Sequence, residues 1–189
     1  MMARAPRSTL PARGSSATGF RRRRDGRQGQ ALVEFAISSI FLLLLLMGVI
    51  DFGFLYTDRL AIANAARGGA RWASKHPTNW SNASTPDSDT IEGQIQAAGG
   101  VTEIPNDDSH ITINYYDISS GTSVLCGNWS AATNAFVPAS TYTETSCVAP
   151  GTMVEVKVTY TYPLLTPMMA GLFGSGVPVS AAAAFIEER

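Results

Sequence analysis

The chain has 189 residues, enough for one domain and an anchor but short for a two-domain enzyme. Its formal net charge of −1 conceals an asymmetry: residues 1–29 hold eight arginines against one aspartate, so this head carries +7 and the remainder −8. The basic residues stop where a long apolar run begins. This is the positive-inside arrangement of a membrane segment and argues against a nucleic-acid-binding arm, so no nucleic acid is expected as a partner.

From Met1 to Gly29, Pro, Gly, Ser, Ala and Arg mix with no apolar period of 2 or 3.6, which predicts a flexible cytoplasmic leader. Phe35 to Leu55 is almost wholly apolar, with FLLLLLM at Phe41–Met47. About 21 helical residues cover the roughly 30 Å hydrocarbon core, so one spanning helix is predicted, with the lipid bilayer as its partner. A surface apolar all round fits lipid better than the interior of a small domain. Ala63-Asn64-Ala65 has the look of a signal-peptidase site, but the apolar run is longer than the roughly 7 to 15 residues of a secretory signal.

The helix is expected to continue beyond the bilayer as far as Pro77. Leu55, Ile62, Ala66, Gly69 and Ala73 fall on one face, with Arg67, Arg71 and Lys75 on the other. That stripe of small residues suits close approach of another backbone, either the protein's own sheet or a sibling subunit; the spacing does not choose. Thr78–Ser88 reads as a polar loop. Asp89 to Glu92 has capping-box spacing, and Ile91, Ile95 and Ala98 share a face before Gly99-Gly100, which predicts a short helix.

Strand patterns follow. Ile111, Ile113 and Tyr115 alternate with polar residues, as do Val154, Val156, Val158, Tyr160 and Tyr162. Val177–Ile186 alternates too and is expected to pair antiparallel with the preceding strand. Leu164–Ile186 lacks charge and has the length of a second span, but Pro167, Pro178 and the glycines at 171, 174 and 176 oppose a helix there. The expected organisation is a leader at 1–29, a transmembrane helix with its extension at 30–75, and an extracytoplasmic head at 76–189. The fold class is α+β, with a short helix and a small antiparallel sheet in a pilin-like head.

Between the basic head and the apolar run stands Gly29-Gln30-Ala31-Leu32-Val33-Glu34-Phe35. It resembles the processing site of type IV prepilins, in which a membrane peptidase cuts after the glycine and a glutamate stays fifth in the mature chain. Glycine suits a site where a protease grips extended backbone. Asp51 lies 17 residues beyond Glu34, about 26 Å along a helix, so the two acids cannot form a catalytic pair. Asp51 reads as a membrane-boundary residue or a subunit contact rather than a proton relay.

Residues 29–71, with GQALVEFAISSIFLLLLLMGVIDFGFLY and LAIANAARGGARWA, resemble the TadE-like pilus-assembly family, and VEVKVTYTYPLLTP with VPVSAAAAFIEER is similar to its two closing strands. The resemblance implies a minor pilin or pseudopilin of a tight-adherence (Flp) pilus system in a bacterial inner membrane. The partners it implies are a prepilin peptidase, a secretion ATPase, a membrane platform and other pilus-assembly subunits. It implies no enzymatic activity. The aromatic after the glutamate is often tyrosine in that system, and here it is Phe35.

Cys126 and Cys147 lie in a Ser-, Thr- and Asn-rich region beyond the apolar run, which suits an oxidising compartment and a disulfide; two separate buried thiols are the alternative. With His76 and His110 they lack the spacing of a zinc site, so no metal and no cofactor is expected. Asn79-Trp80-Ser81, Asn82-Ala83-Ser84 and Asn128-Trp129-Ser130 match the glycosylation pattern but in a bacterium mark only exposed loops. No hydrolase, phosphate-loop, zincin or dinucleotide motif occurs. The function expected is therefore structural, with an anchored extracytoplasmic binding or adhesion module as the alternative.

Overall fold

The computed structural model describes residues 25–100, 103–140, 142–174 and 176–188. Most of the basic leader, residues 1–24, lies outside these. The chain divides into two compact units, residues 1–41 and 42–189. Helix α1 runs from Asp25 to Ala73 and passes through the division. Among the described residues it is the one helix long and apolar enough to cross a membrane, and none of its most apolar stretch is buried. In the first unit the described part is helix alone, and Leu32, Val33, Phe35, Ile37 and Phe41 are exposed along it.

The second unit is α+β. After α1 come α2 (Ile91–Gly99), β1 (Ile111–Asp117), β2 (Val124–Ser130), β3 (Ala135–Pro138), α3 (Glu144–Cys147), β4 (Met153–Pro163), α4 (Pro167–Phe173) and β5 (Gly176–Ile186). The five strands form one antiparallel sheet in the order β3-β2-β1-β4-β5. β4 and β5 pair from Met153↔Ile186 to Pro163↔Gly176, so Leu164–Ile186 is a turn, a short helix and a strand rather than a second span.

Alternation decides which face is inner. Ile111, Ile113 and Tyr115 of β1 and Val154, Val156 and Val158 of β4 are buried, while the intervening polar residues point away. The extension of α1 and α2 cover this face. A methyl group on Gly69 would stand 2.3 Å from Cγ1 of Ile95 and 3.4 Å from Cγ1 of Val156, and one on Gly68 would meet the Cβ of Ala98 at 2.7 Å. Ile62, Ala65, Ala66, Ala70 and Ala73 share the core with Ile91 and Ile95. The small-residue stripe is thus buried against the chain's own α2 and sheet. Fully burying a side chain such as Ile95 contributes roughly 2 kcal/mol, and only small residues on α1 allow that approach.

Thr90, not Asp89, caps α2: its Oγ1 accepts from the N–H of Gly93 at 3.1 Å, which leaves Glu92 to turn inward. Gly100 ends the helix at φ 68°, in the left-handed region that glycine enters without penalty. β2 and β3 escape a reading by alternation. β2 contains Gly127, whose missing side chain makes room for the ring of Phe136 across the ladder, and β3 is four residues long and ends at Pro138 on the sheet edge.

Candidate assembly and processing site

Gly29, Gln30, Glu34 and Phe35 all lie on α1. Helix begins at Asp25, so Gly29 has helical backbone, and a side chain there would meet nothing within 4 Å. Gln30 and Glu34 are one turn apart. The Gln30 Nε2 donates to Glu34 Oε1 at 3.1 Å, an exposed i, i+4 contact that holds the carboxylate towards the N-terminal side of its own turn. Phe35 is exposed beside it.

Asp51 is in a different setting. It is 3 % exposed, and both carboxylate oxygens are engaged within the second unit: Oδ1 accepts from the backbone N–H of Leu165 at 3.1 Å, and Oδ2 from Oγ1 of Thr166 at 2.5 Å. A carboxylate on an otherwise apolar helix is therefore satisfied by the residues that lead into α4. Glu34 belongs to the first unit and Asp51 to the second.

Cys126 on β2 and Cys147 in α3 are bonded, with their Cα atoms 5.8 Å apart and both side chains buried. His76 stacks on Trp72 and His110 contacts Asp107 at 2.8 Å. Among the described residues no group of three or more His, Cys, Asp or Glu is placed to hold a metal ion.

Two further acids come to notice only in three dimensions. Glu92 is wholly buried; its Oε2 accepts from the N–H of Ser81 at 2.8 Å, while Oε1 has no partner among the described residues. Burial pushes its carboxyl up to about 7, against the backbone N–H groups of Glu92 and Ser81, which favour the charged form. Glu187 is 4 % exposed, and its carboxylate oxygens have no partner among the described residues, the nearby Thr152 hydroxyl being donated to Ala149 O at 2.7 Å. Burial raises it likewise to about 7. In the sequence Glu92 has the spacing of a capping residue, and only the inward turn of α2 reveals otherwise.

Residues 29–71 match the sequence model of a family described as TadE-like protein. The match covers Gly29–Phe35, the apolar stretch and most of the helical extension, and it bears out the family resemblance read from those residues. No curated protein matches the chain, and no solved structure does.

Proposed function

We propose that this chain, carrying a TadE-like segment on one long apolar helix, is a non-enzymatic pseudopilin or assembly component of a tight-adherence pilus system. It is anchored in a bacterial inner membrane with its N-terminus in the cytoplasm and residues 76–189 outside. The observation that carries the reading is the turn Gly29–Glu34, where the matched residues begin and glycine leads into the apolar helix directly behind the basic leader.

A prepilin-type peptidase cuts between Gly29 and Gln30. Glycine in a helix interior is less stable than alanine by about 1 kcal/mol, which makes this turn the easier one to unwind into the extended form a protease needs. The cut leaves Gln30 with a free amine one helical turn from the Glu34 carboxylate, a rise of about 6 Å. On the same or an adjacent helix that amine pairs with Glu34 in surroundings of low dielectric, which favours subunits packed in register, whereas an unpaired acid there is costly.

The test is the intact mass of the protein purified from cells that make the cognate peptidase. Wild type is expected to begin at Gln30, Gly29→Leu to keep the leader, and Glu34→Gln to be cut yet to assemble poorly. Wild-type protein that retains its leader would sink the pseudopilin reading.

A further inference from the structure

We propose that the tip of the β4–β5 hairpin, Leu164 to Gly174 with α4 at its centre, is a second lipid-contacting element that dips into the outer leaflet beside α1 without crossing it. The inference rests on the reading of α1 as the membrane span.

Three observations place the tip in lipid. The first is height. Asp51 holds Leu165 and Thr166 by its two carboxylate oxygens, and a side chain on Gly48 would lie 3.5 Å from Cε of Met169, so the tip is level with residues 48–51 of α1. Val49, Ile50, Phe52 and Phe54, at the same level, are apolar and exposed. The second is composition. The chain carries no charged residue between Lys157 and Glu187, and the tip exposes Leu165 at 57 % and Met168 at 47 %.

The third is polar satisfaction. Backbone exposed to hydrocarbon must find its partners internally. The tip meets much of this need: Met169 and Ala170 donate to Thr166 O, Gly174 donates to Ala170 O, Leu165 donates to Asp51, and Pro167 has no N–H to satisfy. Asp51 gains equally, because a bare carboxylate on a lipid-facing helix is costly. The occupant of this surface is therefore lipid, in continuity with the apolar face of α1.

Full-length protein, its native cysteines paired, is reconstituted into vesicles of phosphatidylethanolamine and phosphatidylglycerol. Single nitroxide labels are placed at Met168→Cys, with Leu165→Cys as a second site on the tip, Leu45→Cys on the span and Ser120→Cys on the exposed β1–β2 turn. The ratio of oxygen to water-soluble nickel-chelate collisions is expected to be several-fold higher at the tip than at Ser120 and to approach that at Leu45. A tip that reads like Ser120 while Leu45 reads lipid overturns this inference alone. A tip shielded from both reagents overturns it in favour of a protein partner. Leu45 reading water overturns the span, and this inference with it.

Discussion

Glu92 offers the sharpest test of the packing on the inner face. Its carboxyl is wholly buried and held up to about 7, compared with 4.5 for an ordinary glutamate. Between those values the folded chain keeps a proton that the unfolded chain has released, so stability is full below about 4.5, falls as pH rises, and has lost this contribution above about 7. At 1.36 kcal/mol per pH step the loss is on the order of 3 kcal/mol. Glu187 acts in the same direction and over the same window. Glu92→Gln keeps an oxygen for the Ser81 N–H and removes the charge; its amide meets the same unpartnered position that a protonated carboxyl meets. The variant is therefore expected to match wild type near pH 5 and to exceed it by about 1 to 3 kcal/mol at pH 8, with the remaining slope due to Glu187. The assay is urea unfolding of the purified full-length protein in mild detergent at both pH values, followed by tryptophan fluorescence. If Glu92→Gln keeps the whole pH dependence of wild type, the burial argument is wrong.

Gly69→Ala should gain about 1 kcal/mol of helix propensity but lose roughly 1 to 3 to overpacking against Ile95, a net destabilisation visible in the same unfolding assay. Gly53→Ala, where a methyl group meets nothing within 4 Å, should show no such loss. Replacing both Cys126 and Cys147 by alanine should lower stability by about 3 kcal/mol, since the bond closes a loop with a sequence separation of 21. Titratable thiols in unfolded protein purified without reductant would contradict the bond itself.

Much of this protein is legible along the chain because the signals are one-dimensional. A run of apolar residues longer than the hydrocarbon core, with arginines on one flank, has the length and composition of a membrane-spanning helix whatever follows it. The period-2 pattern of Val154 to Tyr162 specifies a strand and its inner face, and Pro167 with the glycines beyond it breaks the second apolar run. The motif from Gly29 to Phe35 is legible for the same reason, since its residues are neighbours in sequence. What tertiary structure decided depends on residues far apart. The small-residue stripe could have met a sibling, and only the approach of Ile95 and Val156 assigns it to the chain's own core. Asp51 reads in the sequence as a membrane-boundary residue or a subunit contact, and only the structure brings Leu165 and Thr166, 114 and 115 residues later, to its carboxylate. β2 and β3 lack a strong period and exist through their pairing to β1 and to each other. Glu92 has the spacing of a cap, but Thr90 takes that role and the carboxylate turns into the core to meet the Ser81 N–H, because whether a helix-end acid faces solvent or the core depends on the distant segments packed against it.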